Sequence, residues 1–156
     1  MKKWALLIIA ILFLATLQLV WPVFLSFFNC KPDLLLIFSL SLVFYINFKA
    51  AFLFTVFAGL LKDSFLPQGP QAMNTVLFAL WAYSCHRLSR QIATEDDYVR
   101  LGIIFIVAFL HNIVFGVQGL NSGVPAGIFL RSMAISSVYT AGLSPFIFKL
   151  AKKITA

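Results

Sequence analysis

The chain has 156 residues, of which 62% are hydrophobic and only 11% charged, whereas a water-soluble domain is roughly one-half apolar and one-quarter charged. Its formal charge of +7 does not mark a nucleic-acid surface, because the basic residues are scattered between apolar runs and form no continuous patch. Residues 1–156 therefore read as a single integral membrane domain, too short and too apolar to carry a soluble core beside it.

Lys2 and Lys3 precede an apolar run that reaches Trp21. A signal peptide starts in the same way, but this run has no convincing small-x-small cleavage site, so an uncleaved first helix over 4–21 is expected. Trp4 and Trp21 suit the two membrane interfaces, and Pro22 ends or kinks the helix. Residues 23–28 are too few to cross again and read as a segment on the outer surface. In Asn29-Cys30-Lys31-Pro32-Asp33 the chain breaks and starts a second helix, since Pro32 is tolerated in a first turn and Asp33 suits the positive end of the helix dipole.

Residues 34–66 are almost continuously apolar. One helix of that length would measure about 50 Å, against a hydrocarbon core of about 30 Å. It would also bury Lys49 near the bilayer centre at about 2.5–3.5 kcal/mol. A hairpin at Asn47-Phe48-Lys49 removes both problems and divides the run into helices over 33–47 and 50–66. Pro67-Gln68-Gly69-Pro70-Gln71 is turn chemistry, and a fourth helix follows over 73–88. Thr94 and Asp97 resemble a capping box, with Glu95 and Asp96 adding favourable charge, and start a fifth helix over 95–117. After a loop containing Asn121 and Pro125, a sixth helix over 128–148 leads into the basic tail Lys149, Lys152, Lys153.

With six helices, Lys2, Lys3, Lys49, Arg87, Arg90, Arg100, Lys149, Lys152 and Lys153 fall on one side, and Lys31, Lys62 and Arg131 at or near the other. The positive-inside rule then places both termini in the cytoplasm. Fusing the second and third helices would send the basic tail outside, so charge and length independently require the hairpin. The expected fold class is all-α, a polytopic transmembrane bundle of six helices.

Ionisable groups within a membrane are functional candidates because burying them is costly without a partner. Asp63, Arg131 and His111 qualify. Asp63 and Arg131 reach similar depths in the outer third of the bilayer, and are expected to meet across a helix interface, with Asn74 completing a polar cluster; the alternative is separate snorkelling of each. His111 and Asn112 would matter in a proton relay, but no chain of carboxylates leads to them, and a hydrogen-bonded packing role is expected instead. Cys85-His86 is expected at the inner interface, and Cys30 and Cys85 as free thiols on opposite faces. Ala58-Gly59 and Ala141-Gly142 could let helices approach closely. The eighteen phenylalanines suit lipid-facing and interhelical bulk. No nucleophile–base arrangement, phosphate-binding glycine loop, metal-ligand spacing or cofactor motif is expected, so the chain reads as non-enzymatic.

The order of features resembles the MreD family of bacterial rod shape-determining proteins. The resemblance is carried by Lys31-Pro32-Asp33-Leu34-Leu35-Leu36-Ile37, by Gly59-Leu60-Leu61-Lys62-Asp63, by the loop with Gly69 and then Asn74, and by Leu143-Ser144-Pro145-Phe146-Ile147-Phe148-Lys149 before the tail. It implies a scaffold in the bacterial cytoplasmic membrane, part of the cell-elongation complex, that supports peptidoglycan synthesis. The partners it implies are MreC first, then the actin-like MreB, the glycosyltransferase RodA and its partner transpeptidase, with homodimerisation left open. The competing reading is the substrate-binding S component of an energy-coupling-factor vitamin transporter, similar in helix number and size. There Asp63, Asn74, Gln118, Asn121 and Arg131 would line a ligand pocket.

Overall fold

The computed structural model describes residues 2–21, 30–65, 72–92, 96–120 and 125–156, without the side chains of Lys2 and of 118–120. The described residues form six helices and no strand: α1 (Lys2–Leu19), α2 (Leu34–Tyr45), α3 (Phe48–Phe65), α4 (Met73–Ser89), α5 (Asp97–Leu120) and α6 (Ala126–Thr155). By length and composition, two helical stretches are long and apolar enough to cross a membrane, Asp97–Val117 and Ala126–Thr155.

α2 is the centre of the bundle. It is apolar on all sides, as a fully enclosed helix must be, and every residue from Leu34 to Val43 is buried. The other five helices all pack against it. Its start is fixed by Asp33, whose side chain accepts from the Leu36 amide at 3.1 Å. Its end is fixed at Ile46, which turns to extended backbone, and Asn47 Oδ1 then accepts from the Lys49 amide at 3.0 Å to begin α3. The turn expected at Asn47-Phe48-Lys49 is thus built by an asparagine cap.

α6 is longer than the 128–148 expected. Beyond Phe148 the buried residues Ala151 and Thr155 continue one helical stripe, while Lys149, Lys152 and Lys153 point away. The lysines also suit the negative end of the helix dipole, so the tail stays helical. Pro145 lies inside α6. It cannot donate to the carbonyl four residues back, and Ser144 Oγ donates to that Ala141 carbonyl instead, at 2.7 Å. Helix α5 begins at Asp97; Thr94 and Glu95 of the expected capping box lie outside the described residues, as do the segment 23–28, the turn 67–71 and Asn121.

Of the two small-residue pairs, one makes a close approach. A Cβ at Gly59 would lie 2.6 Å from Thr75 Cα, so α3 and α4 touch through backbone there. Gly142 faces open space and carries no such contact.

Both chain ends lie at one end of the bundle, where Lys3 Nζ donates to the Thr155 carbonyl. Arg100 reaches Tyr45 Oη at 3.2 Å and Asp97 at 3.3 Å at this same end, and His86 stacks on Phe48 at 4.1 Å. The helices therefore alternate in direction and gather their basic residues at one end. Large apolar side chains face outward on every helix except α2, including Ile9 and Phe13, Leu53 and Leu60, Val76 and Leu80, Ile106, and Val138 and Phe146. Polar side chains are buried instead, among them Gln18, Ser39, Thr55, Asn74, His111, Ser137 and Thr140. In water such an outer surface would exceed any ordinary apolar patch.

Candidate functional site

Counting about 1.5 Å per residue from the basic end, Gln18, Asp33, Lys62, Asn74, His111 and Thr140 all stand about 18–24 Å along their helices. Every helix thus contributes to one polar level.

Asp33 is the centre of the first cluster. Lys62 Nζ donates to Asp33 Oδ2, and Gln18 Nε2 and the Leu36 amide approach Oδ1 at 3.4 and 3.1 Å. The Asp33 amide in turn donates to Thr140 Oγ1 at 3.1 Å, and Gln18 Oε1 accepts from the Leu35 amide at 3.2 Å. The Lys62 and Asp33 side chains keep only 11% and 14% of their exposure. His111 Nε2 lies 3.2 Å from Lys62 Nζ and 3.7 Å from Asp33 Oδ2. The rings of Phe78 and Phe115 stand 5.3 and 6.0 Å from the ammonium, completing its cage. The Asp33 carboxylate thus stands near His111, beyond hydrogen-bonding distance.

Asp63 organises the second cluster. It occupies the turn after Gly59 on the same face of α3, where the glycine lets the start of α4 come close. The N-cap residue of α4, Ala72, has φ 63° and makes no side-chain cap. Asp63 caps the helix from outside: Oδ1 accepts from the amide and Nδ2 of Asn74 at 3.0 and 2.8 Å, and Oδ2 from the amide and Oγ1 of Thr75 at 2.9 and 2.6 Å. Four donors at a positive helix end make a strong carboxylate site.

The structure thus joins Asp63 to Asn74. It does not bring Arg131 to them. α3 and α6 share no packing contact, and Arg131 borders a surface hollow of about 210 Å³ with Ile128, Ser132 and Ile135. The similar depth expected of the two residues does not hold: counted from the basic end, Asp63 stands about 22 Å along α3 and Arg131 about 36 Å along α6, because α6 runs on to Thr155. The Lys62–Asp33 pair was missed because the start of α2 was taken as the membrane surface. The available signal was the length of the helix: from the hairpin at Asn47 back to Asp33 there are too few residues to cross a bilayer.

Two cavities share Asn112 and Phe115 in their linings. One of about 60 Å³ is lined by Lys62, Asn74, His111, Asn112 and Phe115. The other, about 260 Å³, opens between α5 and α6 past Cys30, Gly116, Phe129, Ser132, Met133 and Ser136. Cys30 and Cys85 form no disulfide, and Cys30 Sγ donates to the Ser132 carbonyl at 3.4 Å. Among the described residues, no three His, Cys, Asp or Glu side chains converge as a metal site.

A family model described as rod shape-determining protein MreD matches residues 1–154. The chain belongs to the MreD family. No curated protein and no solved structure matches it. MreD membership carries a role in rod-shape determination and places the chain in a membrane protein family that is not a known enzyme family. The residues that carried the resemblance acquire physical roles: Asp33 caps α2 and holds Lys62, Gly59 and Asp63 receive the start of α4 at Asn74, and Pro145 is accommodated by Ser144. Pro32 directly precedes the capping Asp33, and Gly69 lies outside the described residues.

Proposed function

We propose that the chain is a non-catalytic, multi-pass scaffold of the bacterial cytoplasmic membrane, with both termini in the cytoplasm, that supports rod shape and peptidoglycan synthesis by binding MreC and, around it, MreB, RodA and its partner transpeptidase. The observation that carries this reading is the inverted distribution of side chains, with outward apolar faces on five helices around an internally satisfied polar level. In a bilayer that exterior is available to the transmembrane helices of partners, which associate through packing and close approach rather than by the hydrophobic effect. The basic end suits the cytoplasmic leaflet by the positive-inside rule. The family match favours this role over that of a vitamin-transporter S component.

Depletion of the chain is expected to convert rods to spheres, and affinity purification from gently solubilised membranes is expected to recover MreC. Retained rod shape would overturn the functional reading. Reporter fusions at Ala156 are expected to be active as fluorescent protein and inactive as alkaline phosphatase, and the reverse pattern would overturn the topology.

A further inference from the structure

Two buried side chains at the polar level carry complementary atoms that no described protein group satisfies. Asn74 is 1% exposed and His111 3%, and Asn74 Oδ1 and His111 Nδ1 are both without a hydrogen-bond partner among the described residues. Their chemical sense follows from their neighbours. The Asp63 carboxylate only accepts, so the Asn74 amide must turn its NH₂ toward it, at 2.8 Å, leaving Oδ1 as an acceptor on the other side. The Lys62 ammonium only donates, so at 3.2 Å His111 Nε2 must accept, and the ring proton sits on Nδ1 as a donor. Asp33 Oδ2, at 3.7 Å from Nε2, is too far to compete for a proton there.

Both side chains line the same cavity, together with Lys62, Asn112 and Phe115. Its volume of about 60 Å³ exceeds the roughly 10–15 Å³ that one water requires. A group that accepts from His111 and donates to Asn74 must do both, as water does. Lys62 and Asn112 supply the further polar contacts that hold buried water in place. The larger cavity between α5 and α6 shares Asn112 and Phe115 with this one.

We propose that this cavity is a specific water site, and that its water joins the Asp33–Lys62–His111 cluster to the Asp63–Asn74–Thr75 cluster across the interior of the bundle. The site makes one hydrogen-bonded network from two that otherwise end at orphaned atoms. It requires nothing of the partners or of the cellular role.

The sequence contains two histidines, so His86→Gln leaves His111 as a single ring reporter; His86 stacks on Phe48 at the basic end, away from the site. Selective ¹⁵N-histidine labelling of that full-length variant in lipid nanodiscs, read by proton-detected solid-state NMR, tests the proposal. The expected spectrum shows a neutral ring protonated at Nδ1, with a cross-peak from that proton to water. Asn74→Leu, which fills space and removes the acceptor, is expected to abolish the cross-peak. A ring protonated at Nε2, an Nδ1 proton without contact to water, or a water cross-peak that persists undiminished in Asn74→Leu would each overturn the proposal. If Asn74→Leu does not fold, the spectrum of the His86→Gln protein alone decides.

Discussion

Replacing Lys62 by methionine is expected to be among the most damaging single changes in the protein, and to be largely repaired by Asp33→Asn. The methionine keeps the length and apolar stem of lysine but leaves the Asp33 carboxylate, 14% exposed, with the Gln18 amide at 3.4 Å and the Leu36 amide at 3.1 Å as its near donors. Breaking a buried ion pair from one side costs about 3–5 kcal/mol. Asp33→Asn alone leaves the ammonium beside His111 and the Phe78 and Phe115 rings; each cation–π contact returns about 0.5–2 kcal/mol, so this loss is expected to be smaller, about 2–4 kcal/mol. In the double variant no charge remains, and asparagine still caps α2 through the Leu36 amide. It should fall within about 1–2 kcal/mol of the parent, since removing both ions is often close to neutral. Reversible unfolding by SDS titration in mixed micelles measures all four proteins. Additive losses in the double variant, or single variants within about 0.5 kcal/mol of the parent as for exposed surface changes, would refute a buried, mutually dependent pair.

The same titration checks three further expectations. Gly59→Ala places a methyl group 2.6 Å from Thr75 Cα and should cost about 1–3 kcal/mol as α3 and α4 are forced apart, whereas Gly142→Ala meets nothing within 4 Å and should be neutral or slightly stabilising. Asp63→Asn turns an NH₂ toward amides that need an acceptor at the start of α4; it should cost about 1–3 kcal/mol through the lost cap and helix-dipole interaction. Ser144→Ala strips the Ala141 carbonyl of the hydroxyl that replaces the missing Pro145 amide, with an expected loss of about 0.6–2 kcal/mol.

How far the sequence could be read depended on whether a feature was one-dimensional. Length and charge are, so the turn at Asn47 and the segregation of basic residues were legible from Lys49 and from the tail. Depth along a helix is legible only where the helix's end is: ending α6 at Phe148 sets Arg131 level with Asp63, and its continuation to Thr155 carries Arg131 to about 36 Å from the basic end, against about 22 Å for Asp63. Rotation about the bundle axis is not: nothing in the spacing says that Asp63 faces the start of α4 while its neighbour Lys62 faces Asp33. Consecutive residues diverge by about 100° on a helix, so one dipeptide serves two clusters. The helical tail was hidden for a different reason. Its lysines dominate the composition, while its buried stripe of Phe148, Ala151 and Thr155 is only three residues.

The position of the polar level also bears on how the bundle keeps its register. Toward the basic end the core is mostly hydrocarbon, with Leu7, Ile11, Leu40, Leu42, Ile104 and Ala151 buried beside small hydroxyl side chains such as Ser39, Ser41 and Thr55. In a bilayer such contacts discriminate poorly between one helix offset and another, because lipid tails are as apolar as leucine. Sliding α3 by one turn, about 5.4 Å, would keep many of those apolar contacts but carry Lys62 away from Asp33 and Asp63 away from the amides of Asn74 and Thr75, leaving charges and helix-end amides unpaired in hydrocarbon. The polar groups therefore penalise offsets that the apolar core tolerates. The proposed scaffold role requires outer faces of fixed shape, and the polar level supplies that rigidity from the inside, through side chains that are themselves buried or part-buried.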